Sequence, residues 1–266
     1  MIGLDDRTPV RAPGARAGKI GGILLITLRA DLHTHTVASG HAYGTAREMI
    51  DAAAEKELEL IALTDHAPNM PGSCGPLHFT NLGALPRRVG GVTVLRGVEL
   101  NALDLAGSLD LPEGILNRLD WVIASIHTNV LPMREGTDCT GLYLALAENP
   151  MIDMIGHPDT PACPFDMERV IPTLARRGKA IELNEQHAFD FGPQGEENAR
   201  RIVEICARCG AFVAVNSDAH SCWDVGRSAR SIAMLEEMAF PEELVLNVSA
   251  RRVLDFVRAR RPNLDV

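Results

Sequence analysis

Lysine is almost missing from this chain: Lys19, Lys56 and Lys179 are the only three among 266 residues, and arginine carries nearly all the positive charge. Aromatic residues are scarce too, at 4%. No apolar run approaches the ~20 residues that a membrane-spanning helix needs. The longest early one, GGILLITL, is too short and has no clean cleavage site, so it reads as a strand rather than a secretion signal. A net charge of −9, without any basic stretch studded with aromatics, disfavours a nonspecific grip on nucleic acid. The six cysteines (Cys74, Cys139, Cys163, Cys206, Cys209 and Cys222) show no regular framework. They predict free thiols in a reducing compartment, and hence a cytoplasmic protein. The nominal C-x-x-C at 206–209 lies in EENARRIVEICARCG, an amphipathic helix pattern closed by Gly210, with no second thiol pair to complete a zinc site.

What the chain does have is ordinary globular composition, 46% hydrophobic and 23% charged, and enough length for one large core. Residues 1–22, rich in Pro, Gly, Ala and Arg, predict a loose extension ahead of a single domain over 23–266. Within that domain, apolar strand-like runs end in polar residues. ILLITLRADLH ends at His33, LELIALTDH at His66, VTVLRGVE at Glu99, DWVIASIH at His127 and IDMIGH at His157; AIELN ends at Asn184 and AFVAVNSDAH at Asp218 and His220. The steps from His33 to Asp218 are 27 to 34 residues, the length of a strand, a helix and two loops. Helical patterns fill the gaps. Thr45 and Glu48 form a capping box, residues 196–209 follow the sixth strand, and SARRVLDFVRARR comes last; Pro172 weakens or kinks the pattern around it. The fold class is therefore α/β with a parallel sheet, open and doubly wound or closed as a seven-stranded TIM-like barrel. The ring is favoured, because only a ring brings the C-terminal strand ends, and their polar residues, onto one another.

The segment DLHTHTVASGHAY holds three of the nine histidines. His33 and His35, two apart in an extended chain, share a face, and SDAH repeats the device with Asp218 and His220. The candidate ligand set is His33, His35, His41, His66, Glu99, His127, His157, Asp218 and His220. One histidine at a strand end is most often capped or solvated. Seven of nine at such positions are not explained that way; His78 and His187 stand outside the set. Nine donors exceed the needs of one ion, and with one shared carboxylate they serve three. Imidazole-rich sites suit zinc, with manganese or iron open by ligand chemistry. Three divalent ions against two carboxylates leave about four surplus positive charges, which calls for an oxygen-rich anion such as phosphate.

DLHTHTVASGHAY, ALTDHAP, LRGVELN, SIHTNV, IGHPDTP and VNSDAH resemble the successive metal motifs of the PHP (polymerase and histidinol phosphatase) family. With the tail PEELVLNVSARRVLDF, they look most like its stand-alone YcdX-like phosphatase branch, over residues 30–260. The resemblance implies a distorted (β/α)7 barrel with a trinuclear, usually zinc, centre. It would place His33, His35, Glu99 and Asp218 on one ion; Glu99 would bridge to a second held by His127 and His157; and His41, His66 and His220 would hold the third. It also implies hydrolysis of a small phosphomonoester by a hydroxide bridging the Glu99-linked pair. Asp218 is then a catalytic candidate that orients the nucleophile. Arg134 and Arg227, in rim loops, are candidates to bind the substrate phosphate, with solvated loop arginines as the plain alternative. The stretch NEQHAFDF departs from the branch and puts Glu185 and His187 on the rim, His187 as a surface or outer residue rather than a tenth ligand. The rival readings are a histidinol phosphatase, a metal-dependent amidohydrolase and a non-catalytic metal-binding barrel. Many amidohydrolases need a carboxylated lysine at the fourth strand end, where this chain has none. The expected partner is a small anionic phosphorylated molecule, with neither membrane nor nucleic acid; a homo-oligomer stays open.

Overall fold

The computed structural model describes residues 26–262, together with a short antiparallel ladder between Lys19–Ile20 and Ile23–Leu24. Apart from Lys19–Ile20, the expected extension over 1–22 lies outside the described residues. Seven parallel strands follow in chain order: β1 (Ala30–Thr34), β2 (Leu60–Leu63), β3 (Val92–Asn101), β4 (Trp121–Ser125), β5 (Met154–Ile155), β6 (Ala180–Asn184) and β7 (Val213–Asn216). Each pairs with the next, so the sheet order is the sequence order. The longer helices are α1 (Ala46–Glu55), α2 (Thr140–Glu148), α3 (Met167–Arg176), α4 (Pro193–Cys209), α5 (Ala229–Glu237) and α6 (Ala250–Arg260). The result is a nearly closed, distorted (β/α)7 barrel. The capping box at Thr45 and Glu48 starts α1, and Gly210, at φ +72, ends α4. Pro172 lies within α3, which continues through it. The described cysteines are all unpaired, and no described helix is long and apolar enough to cross a membrane.

Strand alternation sorts the apolar residues into two layers. Leu60, Leu95, Trp121, Ile123 and Met154 pack together inside the ring, with Val253 and Val257 of α6 closing the end where the strands begin. Ile61, Leu63 and Val94 face outward onto Met49 and Ile50 of α1. The apolar run before His33 predicts a strand from Ile23, yet β1 starts at Ala30. Ile26 is buried instead with Met234 and Leu235 of α5, and its N–H donates to Glu236 at 3.2 Å. Hydrophobicity there serves the outer core rather than the ladder.

Two local departures from a regular barrel decide what reaches its mouth. Between β1 and β2 the register moves from Asp31 opposite Ile61 to Thr34 opposite Leu63, which leaves one extra residue on β1. Strict alternation would send Leu32 and His33 to opposite faces. The bulge lets both turn inward: Leu32 joins the interior cluster and the His33 ring reaches Glu99 and Glu182.

The second departure is the seam between β7 and β1, bridged by the pairing of Thr34 with Ala219 rather than by a full ladder. The buried side chain of Asn247 stands in the gap. Its Nδ2 donates to the carbonyls of Ala30 (2.8 Å) and Val215 (2.5 Å), and its Oδ1 accepts from the N–H of Val215 (3.1 Å). Asn216 Oδ1 accepts from the N–H of Leu32 at 3.0 Å, and the Asp31 carboxylate accepts from the N–H groups of Ser217 (3.2 Å) and Gly226 (2.8 Å). Side-chain amides and a carboxylate thus satisfy backbone groups that a ladder would otherwise pair.

Candidate metal centre

The C-terminal ends of the strands open into one cavity of about 340 Å³, lined by His41, His66, His127, His157, Asp218 and His220 among others. His33, His35 and Glu99 lie fully buried in the barrel end beside it. Glu99 is the hub. His66 Nδ1 lies 2.5 Å and His35 Nε2 3.6 Å from its Oε2, while the Nε2 atoms of His157, His127 and His33 lie 3.0, 3.2 and 3.3 Å from its Oε1. Asp218 Oδ1 is 3.0 Å from His35 Nε2 and 3.5 Å from His33 Nε2. At the outer end, His41 Nε2 and His220 Nε2 approach to 3.1 Å.

These atoms have the character of ligands. Among the described residues, His33 Nε2, His35 Nε2, His66 Nδ1, Glu99 Oε2 and Asp218 Oδ1 are buried without a hydrogen bond, although each faces another of the set. Buried polar atoms seldom stay unsatisfied, and converging lone pairs repel unless cations lie between them. The donor set fits divalent ions, and the geometry sorts it into overlapping groups: His33, His35 and Asp218; His66, Glu99 and His127; His35, His66 and His220; and His157, His187 and Asp218. The resemblance puts His66 with His41 and His220. Here His66 stands between that cluster and Glu99, and its Nδ1 is turned toward the carboxylate.

The protein's own charges brace this site. Burial opposes a charge on Glu99, but the imidazoles of His127, His33 and His66 outweigh it and hold its pKa well below the carboxylate range. Asp218 is depressed in the same way, against burial, by His33 and His35. Burial likewise opposes a proton on His33, yet Glu182, Asp218 and Glu99 raise its pKa well above the usual value. In His35, burial and the neighbouring His66 win and push it down to about 3. His157 (φ +28) and Asp218 (φ +54) occupy backbone conformations that L-residues rarely adopt, as is common where function over-determines geometry.

Most of the imidazoles are aimed by a bond to their other nitrogen, which turns the free one to the cavity. His33 Nδ1 meets Glu182 Oε1 at 2.8 Å, His35 Nδ1 the Ser39 hydroxyl at 3.0 Å, His127 Nδ1 Asn101 Oδ1 at 2.7 Å and His220 Nδ1 the Asp218 carbonyl at 2.9 Å. The sequence reading missed Glu182, Ser39 and Asn101 as site residues. For Glu182 a signal existed: it is two residues before Asn184 and so shares its inward face. Its other oxygen accepts from the N–H of His157 at 2.8 Å, which ties two strand ends together.

Asp65, also missed, anchors the loop that carries Ser39. It accepts from Thr36 N (2.7 Å), Thr36 Oγ1 (2.8 Å) and Ser39 Oγ (2.7 Å), and His78 lies 3.3 Å away. Burial works against its charge, but His78, His35, Ser39 and Thr36 outweigh it and hold the pKa at about 2. A depressed carboxyl stabilises the fold above its unfolded pKa and ceases to do so as pH falls through its folded one. Asp65→Asn should therefore cost about 2 kcal/mol near neutrality. In urea unfolding, its deficit against the parent should shrink below about pH 4. A deficit independent of pH would contradict this account.

The remaining candidates fall elsewhere. Arg227 pairs with Asp224 at 3.6 Å, Arg134 is exposed, and neither lines the cavity. Glu185 is buried away from the mouth, where its carboxylate accepts from the N–H groups of Arg230 (3.2 Å) and Ser231 (2.8 Å) at the start of α5. His187 does line the cavity, stacked on His157 at 4.1 Å between ring centroids, with Nε2 3.8 Å from Asp218 Oδ2.

A parallel barrel whose mouth gathers imidazoles and carboxylates in this way defines a metal-dependent hydrolase of TIM-like fold. The PHP domain model matches residues 31–186, more than half of the chain. A "probable phosphatase" of Caldicellulosiruptor saccharolyticus is 42% identical over 238 residues, which is 90% of this chain and 99% of that one. A second, from Caldanaerobacter subterraneus subsp. tengcongensis, is 42% identical over 245 residues, 91% of this chain and 96% of its own. The fold is similar to a crystal structure of histidinol phosphate phosphatase from Lactococcus lactis, complexed with zinc, L-histidinol and phosphate. There the TM-score is 0.57 and the identity 20%, over 81% of this chain and 93% of that one. The chain belongs to the PHP-domain family.

Proposed function

We propose that this protein is a stand-alone phosphatase of the YcdX-like branch that holds three divalent ions and hydrolyses small phosphomonoesters. It is a metal-dependent phosphoesterase, and the observation that carries the reading is the convergence of five imidazoles on the buried Glu99, with His33 Nε2, His35 Nε2, His66 Nδ1 and Glu99 Oε2 left without a hydrogen bond. His33, His35 and Asp218 would hold one ion and His127 and His157 a second, with Glu99 between them; His41, His66 and His220 would hold the third. Imidazole predominance favours zinc. Bound there, divalent ions supply Lewis acidity toward phosphoryl oxygens and make water a nucleophile near neutral pH. Glu182 fixes His33 through Nδ1 and His157 through its backbone. Asp218 Oδ1 faces His33 and His35 while its Oδ2 accepts from Asn184 at 3.2 Å, a placement suited to orienting the attacking water. Neither Arg134 nor Arg227 is among the cavity-lining residues, so in this reading the bound ions would carry most of the phosphate recognition. The relatives named probable phosphatases, matched over nine-tenths of this chain, support the reaction class. Lys179 argues against amidohydrolase chemistry, because its ammonium donates to the carbonyl of Ile152 at 2.7 Å, before β5 and away from the strand ends that carry the ligands.

The test is elemental analysis of protein purified without chelators, followed by stripping and reloading. The expected result is about three ions per chain, with phosphomonoester hydrolysis lost on stripping and regained with zinc or manganese. Protein that stays metal-free after reloading, or that is loaded and inert toward every phosphomonoester, would overturn the reading.

A further inference from the structure

Four residues lining the cavity lie outside the nine ligands named from the sequence: Met70, Asn129, Gln186 and His187, the last of which stands at the border, its ring against His157 and Asp218. Among the described residues no lysine or arginine lines it, and the one acidic lining residue is Asp218. The nearby arginines are engaged elsewhere, Arg230 with Glu185 and Asp190 and Arg227 with Asp224. The strap bearing Gln186 and His187 is fixed. Both backbone N–H groups donate to Asn184 Oδ1 at 3.0 Å, and the buried Glu185 between Asn184 and Gln186 caps the start of α5. Gln186 and Asn129 are exposed at the mouth. Among the described residues the Asn129 amide donates only to the Met70 sulfur, and the Gln186 side chain bonds to none.

Hydrolysis of a monoester adds water to phosphorus and breaks the ester P–O bond, and the alcohol departs with a proton derived from that water. The phosphoryl end would lie at the ligand histidines and carboxylates, which leaves the remaining lining residues to meet the alcohol. We propose that Asn129, Gln186 and His187 determine specificity, and that the substrate is the monophosphate of a neutral, hydroxyl-bearing alcohol such as a sugar or polyol, rather than a bisphosphate or a phosphorylated carboxylic acid. This rests on the phosphoesterase reading above. A carboxamide both donates and accepts, as a hydroxyl does, so two amides and an imidazole complement several hydroxyls at once. A second phosphate or a carboxylate on the alcohol would instead lose water against Asn129 and Gln186, with no lysine or arginine among the described lining residues to receive it.

The experiment measures kcat/KM of the metal-loaded protein on a hexose monophosphate, a hexose bisphosphate, a phosphoglycerate and an aryl phosphate. The hexose monophosphate should exceed the two doubly anionic compounds at least tenfold. The double variant Asn129→Ala/Gln186→Ala, with metal content checked, should lower the ratio of hexose monophosphate to aryl phosphate at least tenfold, mainly through a higher KM. Equal or better turnover of the bisphosphate or the phosphoglycerate overturns the proposal, as does a double variant with unchanged ratios. Loaded protein that hydrolyses none of the four overturns the proposal, and inertness extending to every phosphomonoester overturns the phosphoesterase reading itself, which separates the two failures.

Discussion

Replacing Glu99 with glutamine is expected to lower kcat/KM for phosphomonoesters at least about a thousandfold, some 4 kcal/mol of transition-state stabilisation, and to lower the metal content per chain. The reason is concentration of contacts. One buried carboxylate is faced by five imidazoles, those of His33, His35, His66, His127 and His157, all within 3.6 Å. Glutamine keeps the shape but removes the charge, and it turns an N–H2 donor toward atoms that must offer lone pairs to an ion. No other carboxylate lies at this point, because Asp218 serves the His33 and His35 side and Glu182 is held behind His33. Elemental analysis and steady-state kinetics on the same preparation check the expectation, with thermal unfolding as a control on the fold. Full metal content with activity within tenfold of the parent would remove Glu99 from the centre of the site.

Asn247→Ala should be the most damaging single change far from the ligands, with an expected loss of about 3–5 kcal/mol. Its amide satisfies the carbonyls of Ala30 and Val215 and the N–H of Val215, all in the interior. Alanine leaves three buried backbone groups without partners at the seam, where no ladder can replace them. Urea or thermal unfolding measures the loss, and the exposed Asn117→Ala, which should change stability by less than about 0.5 kcal/mol, gives the baseline. Because the seam joins the strand ending in His33 and His35 to the one leading to Asp218 and His220, the variant should also hold its metal less tightly. A variant as stable as the Asn117 control would mean that water or a shifted backbone fills the gap.

Much of this arrangement could be read from the residues in order. Strand ends recur at βαβ spacing with a polar residue at each, and a parallel barrel has only one rim to which such ends can go. For that reason the nine candidate ligands could be named before any coordinates; the structure sets six of them around one cavity and buries His33, His35 and Glu99 beside it. Arg134 and Arg227 show the limit: a loop arginine carries no periodicity that reveals which way it points, and neither reaches the cavity. Glu185 shows it from the other side, since a rim position in sequence became a buried cap on a helix 45 residues later.

The sequence by itself determined the class of fold and named a set of imidazoles and carboxylates suited to cations, because periodicity and residue type are local properties of the chain. Only the tertiary structure decided how the first strand begins, that a bulge turns both Leu32 and His33 inward, that Glu182 and Asp65 stand behind the histidines, and that Asn247 closes the barrel. These depend on through-space partners, in the last case 217 residues apart. A hydrogen bond across that distance leaves no mark on the spacing of either residue.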